Sequence, residues 1–123
     1  MSTAVSPGIA ERACDLDNST FEALVAELGL EDTVQMFSVF FNEADKRLRR
    51  LRELSYEDRK AIEHEAHGLK GSAGNYGLQR VSELAAVLEQ DARTATPDRY
   101  QAALKSLEIS YAAARERFKS LAG

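Results

Sequence analysis

At 123 residues, 44% of them hydrophobic and 29% charged, the chain is sized for one domain with a real core and is too small for a complete ATP-dependent kinase. A formal net charge of −4 argues against nucleic acid as a main partner, because phosphate backbones are held by dense positive charge. The lack of Trp, the two Pro and the abundance of Ala, Leu, Glu and Arg favour an all-α protein.

Residues 1 to about 10 hold small and turn-forming types without period, which suggests an arm or a short extra helix over residues 1–16 ahead of a bundle domain at 17–123. This start has neither a basic n-region nor an apolar h-region, and no apolar run approaches the roughly 18 residues of a membrane span. Cys14 is the sole cysteine, so an internal disulfide and a thiolate zinc site both lack parts, and a cytoplasmic setting fits. Asp17, Asn18 and Ser19 are N-cap candidates before Phe21, Leu24, Val25 and Leu28, with Gly29 as a stop. The result is a short helix able to lid one end of a bundle.

A long helix follows over residues 31 to about 54, with Phe37, Phe41, Ala44, Leu48 and Leu51 as its core stripe and Glu31 and Asp32 at its positive dipole end. Its second half carries Lys46, Arg47, Arg49, Arg50 and Arg52. These either pair with Glu43, Asp45 and Glu53 on a solvated face or attract an acidic partner. Met36 and Phe40 fall on a neighbouring strip, where they widen the buried face or, if exposed, offer a docking surface.

Ser55 followed by Asp58 reads as a cap, so the next helix should run from about 56 to 75 and be ended by Gly77. Leu78, Val81, Leu84, Leu88 and Ala92 make the stripe of a third long helix to about residue 93. Thr96-Pro97-Asp98 then opens a fourth, whose Tyr100, Leu104, Leu107, Tyr111, Ala114, Phe118 and Leu121 keep an unbroken 4-3 pattern. Short loops between four such helices imply an antiparallel four-helix bundle with an additional short N-terminal helix.

The second long helix breaks the rules that the others obey. It carries Gly68, Gly71 and Gly74, each costing roughly 1 kcal/mol against Ala in a helix interior. At 100° per residue, His67, Lys70, Gly71 and Gly74 share one face, while Ile62, Ala66, Leu69, Ala73 and Tyr76 share another. One face is core; the other sets an imidazole beside an ammonium on bare backbone. A neutral imidazole is a nucleophile near neutral pH, and a lysine one turn away supplies charge for a phosphoryl group on it.

His67-Gly-Leu-Lys70-Gly71-Ser72-Ala73, with Gly77 ten residues after the histidine, resembles the signature of histidine-containing phosphotransfer (HPt) domains. The resemblance extends in pattern over residues 21–121. It implies a bundle exposing one histidine that shuttles phosphoryl groups between receiver-domain aspartates, or onward from a kinase. On this reading His67 is phosphorylated at Nε2, which requires Nδ1 to hold the proton and find an acceptor. Similar domains place a Glu or Gln near the imidazole at the position of Glu89, 22 residues on, although an exposed helix glutamate is an equal reading and a shift of register would select Gln90.

Lys70 would support the phosphoryl group, and Gly71 would clear space for a partner, with Ser72 and Gly74 aiding close approach. Gly68 has no evident role from sequence. His64 forms an H-x-x-H pair with His67, but two ligands on one helix make a poor zinc site, so it is expected to be an exposed residue of the partner face, with no metal bound. No phosphate-binding Gly-rich loop or nucleophile elbow is present, so the expected protein is a phosphocarrier without kinase activity or cofactor of its own, with Mg²⁺ supplied by the partner receiver. Its expected partners are a response-regulator receiver domain, a hybrid histidine kinase or both, approached as a monomer. Met1 and the prompt end after Leu121 point to a free-standing protein. The alternative is a helical adaptor that binds a receiver or kinase without carrying phosphate.

Overall fold

The computed structural model describes residues 14–123. Five helices follow in order: α1 (Asn18–Leu28), α2 (Leu30–Glu53), α3 (Arg59–Asn75), α4 (Gln79–Asp91) and α5 (Pro97–Ala122). Helices α2 to α5 pack in a ring, each against the next and α5 back on α2, while α1 lies on α2. This is the antiparallel bundle with a short leading helix, and no strand occurs among the described residues.

Local chemistry sets the helix ends. Asp17 caps α1 by accepting from the Ser19 amide at 2.9 Å, and the Thr96 hydroxyl accepts from the Arg99 amide at 3.2 Å ahead of Pro97. The helix α3 starts three residues later than the Ser55 signal suggests, because the Ser55 hydroxyl accepts from the Glu57 amide in a separate turn. Tyr56 in that turn lies under the Arg59 guanidinium, 4.9 Å from ring centroid to cation. Helix α4 likewise ends at Asp91, two residues short of the expected boundary.

The predicted stripes supply most of the core: Phe37, Phe41, Ala44, Leu48 and Leu51 from α2 meet Ile62, Ala66, Leu69 and Ala73 from α3 and Tyr100, Leu104, Leu107, Tyr111, Ala114 and Phe118 from α5, while Tyr76, Leu84 and Leu121 are only partly buried against it. At the α1 end the core is aromatic. Phe37 stacks on Phe118 at 5.3 Å, and Phe21 of α1 meets Phe37 edge-on at 5.5 Å, so α1 does cap the bundle.

Residues 1–13 of the predicted arm lie outside the described residues, but its last three belong to the packed domain. Leu16 is buried, and the Arg80 amide donates to the Cys14 carbonyl at 3.0 Å. The Asp17 amide donates to the Gly77 carbonyl at 2.8 Å, which fastens the chain entry to the α3–α4 turn. Gly77 has φ +80°, and a Cβ there would lie 2.8 Å from Thr20 Oγ1 and 3.3 Å from the Asp17 carbonyl. Gly77→Ala should therefore destabilise the fold by roughly 1–3 kcal/mol, through both the backbone conformation and the clash. Urea unfolding would measure it, and an unchanged midpoint would contradict this account of the turn.

Candidate functional site

Helix α3 is buried on its Ile62, Ala66, Leu69, Ala73 face, which turns His67 outward with 67% of its side chain exposed. From α4, packed alongside, Glu89 reaches the same point. Its Oε2 lies 2.8 Å from His67 Nδ1 and its Oε1 2.8 Å from Lys70 Nζ. One carboxylate thus ties imidazole and ammonium together across two helices. An ionised carboxylate only accepts, so Nδ1 carries a proton, and in the neutral ring the lone pair is then on Nε2. Nε2 has no hydrogen-bond partner among the described residues. The open choice between Glu89 and Gln90 falls to Glu89 as the neighbour of the ring; Gln90 is exposed.

The hydrogen bond from Lys70, and after it that from His67, outweigh desolvation and hold the Glu89 carboxyl below the usual range. A depressed folded-state pKa gives a contribution to stability that is present above the ordinary carboxylate pKa and lost as pH falls through the lowered one. The bridge is therefore intact at neutral pH.

The three helix glycines differ in what surrounds them. Nothing lies within 4 Å of a Cβ placed on Gly71, so the backbone there is open to an approaching molecule. A Cβ on Gly74 would instead meet Ser82 Oγ of α4 at 3.4 Å, an ordinary contact, and that hydroxyl donates to the Lys70 carbonyl at 2.9 Å. Gly68 is the crowded one. Its missing Cβ would lie 2.5 Å from both Cζ and Nη1 of Arg47, whose guanidinium rests on the bare backbone.

Arg47 is held there by Glu65, a buried residue of α3, at 3.0 Å, and Arg50 reaches the other oxygen of Glu65 at 3.1 Å. The basic run of α2 is thus not paired mainly within its own helix as its solvated-face reading expected. Lys46 does meet Glu43, but Asp45 pairs with Arg115 of α5 and Arg52 with Glu108. The missed signal was Glu65, an acid on the buried side of α3 and so in need of a cation from a neighbouring helix.

The partner-face residues divide. His64 and Met36 are exposed, Met36 at 37%, and Ser72 is half-buried. Phe40 is a correction: at 4% exposure it belongs to the core, where its ring stacks on Tyr76 at 4.9 Å, and it offers no docking surface. Among the described residues no group of His, Cys, Asp and Glu could hold a metal ion, and no helix is long and apolar enough to cross a membrane.

A family model described as Hpt domain matches residues 35–117. The chain belongs to the Hpt domain family. Its function is accordingly histidine phosphotransfer in a phosphorelay, and proteins of this family interact with receiver domains and kinases. Among solved structures, histidine-containing phosphotransfer protein B (HptB) from Pseudomonas aeruginosa PAO1 superposes with a TM-score of 0.78 at 27% identity, over 88% of this chain and 94% of that one. No curated protein is significantly similar to the chain.

In this Hpt domain the tautomer of His67 follows from Glu89. Imidazole ¹⁵N shifts of the neutral ring should show Nδ1 protonated and Nε2 bare, and Glu89→Ala should move population toward the Nε2–H form. A tautomer ratio indifferent to Glu89→Ala would show that the contact does not orient the ring.

Proposed function

We propose that His67 is the phosphorylated residue, accepting a phosphoryl group from a kinase or receiver domain and passing it to a receiver aspartate, with no kinase activity of its own. The observation that carries this reading is the exposed ring whose Nδ1 is engaged at 2.8 Å by Glu89 while Nε2 stays free. In the acceptor direction, the Nε2 lone pair attacks phosphorus in line. The P–O bond to the donor aspartate breaks, and its electron pair leaves with that carboxylate. Nδ1 keeps its proton throughout, so the ring gains positive charge as the new P–N bond forms. The Glu89 carboxylate offsets that charge.

Lys70, one turn from His67, brings an ammonium toward the phosphoryl oxygens, and open Gly71 admits the partner surface. The partner supplies Mg²⁺ and its own acidic pocket. Exposed Met36 and Val39, at 37% and 58%, stand on α2 beside Tyr76 and form an apolar shelf where that partner docks. Open glycine backbone next to the histidine favours this reading over a helical adaptor that carries no phosphate, since an adaptor has no need of clearance at that point.

Incubation with a phosphorylated receiver should label the protein with acid-labile phosphate. His67→Gln should abolish that label while far-UV circular dichroism stays unchanged, and Lys70→Ala should slow transfer by about tenfold or more. Label persisting in His67→Gln would overturn the assignment, whereas receiver binding indifferent to it and no label in the unaltered protein would favour the adaptor.

A further inference from the structure

The phosphotransfer reading leaves one built feature unused: the Arg47–Glu65–Arg50 cluster lying against Gly68, the residue after the histidine. Two guanidiniums share one carboxylate, so the cluster carries a net positive charge. Glu65 is buried in α3, and Arg47 has only 31% of its side chain exposed. Its guanidinium occupies the space that a Cβ on Gly68 would take, 2.5 Å from Cζ and Nη1. Such an arginine has lost most of its freedom before a partner arrives, so little further entropy is lost when it meets an anion. Arg50, by contrast, is largely solvated.

Lys70 and Glu89 flank His67 on the α4 side, and Arg47 flanks the same stretch of α3 on the α2 side. A protein that exchanges a phosphoryl group through an aspartate brings carboxylates to this spot. Because Lys70 is already matched by Glu89, the uncompensated fixed charge available to them is on the α2 side.

Resting on the reading of His67 as the phosphorylated residue, we propose that Arg47, held by Glu65 over the bare backbone of Gly68, is the docking residue that meets the acidic rim of the partner receiver. Arg47 selects and orients that partner and touches neither the ring nor the breaking bond. Gly68, a residue without a helical reason to be glycine, is the vacancy that lets the guanidinium lie so close to the histidine.

The test is steady-state phosphotransfer from a phosphorylated receiver domain that labels the unaltered protein. Arg47→Ala should raise KM about tenfold and leave kcat within about twofold, with Arg47→Lys recovering part of the loss. Gly68→Ala, which displaces the guanidinium without removing its charge, should also raise KM. Raising the salt concentration should narrow the gap between Arg47→Ala and the unaltered protein. Thermal unfolding of each variant checks the fold, and Arg47→Lys keeps the cation where Arg47→Ala proves unstable. An unchanged KM in Arg47→Ala, or a fall in kcat at constant KM, would overturn the proposal. Labelling of the unaltered protein and of His67→Gln by phosphoramidate, a small donor that needs no docking, tests the phosphocarrier reading separately. Loss of the first or persistence of the second would overturn that reading whatever Arg47 does.

Discussion

A single carboxylate reaching from α4 to α3 organises the chemistry of this protein. Glu89 gives one oxygen to His67 and the other to Lys70, each at 2.8 Å, and thereby settles which ring nitrogen is bare and where the nearest ammonium waits. Such a contact between exposed groups is worth little to the fold. Its value is orientation, and that depends on how firmly α3 and α4 are pressed together. Ala66, Leu69 and Ala73 on one helix and Val81, Ala85 and Leu88 on the other are buried, and the turn at Gly77 is bolted by the Asp17 amide. Small residues at the seam let the helix axes approach, so a glutamate can span the gap.

The opposite flank of the histidine is built by different means. On the α2 side the fixed group is a guanidinium held by a buried carboxylate and seated on a glycine. The two flanks thus share a logic in which a carboxylate positions a cation at the bundle surface, Glu65 from a buried position and Glu89 from a partly exposed one. They differ in charge balance, since Glu89 answers Lys70 while Glu65 faces two arginines. Between them lies the uncovered backbone of Gly71. A helix interrupted by glycines would be a poor element in isolation, and here it is sustained by a core that includes Ile62, Leu69 and the aromatic group around Phe37.

How much of this could be read from the chain depends on the range of each interaction. Helical stripes are local, with a period written in consecutive residues, so the bundle and nearly every core position of α2 and α5 were legible. The pairing of His67 with Glu89 was legible as a spacing but not as a contact, because a one-residue change of register would have put Gln90 there. Gly68 was opaque because its reason stands on another helix: only coordinates place Arg47 above it. Phe40 lies on the edge of its stripe, and periodicity does not say that Tyr76 will cover it. Leu16 was assigned to an arm since an isolated apolar residue carries no period, yet it joins the core through a backbone pairing with the α3–α4 turn.

The central claim is that phosphate sits on the outward nitrogen of one ring. Its most direct measurement is ³¹P NMR of the phosphorylated protein, with couplings traced into ¹⁵N- and ¹H-labelled imidazole. The account predicts one phosphohistidine, with the P–N bond at Nε2 of His67 and the Nδ1 proton retained. A bond at Nδ1, or a phosphoryl group on His64 instead, would contradict it.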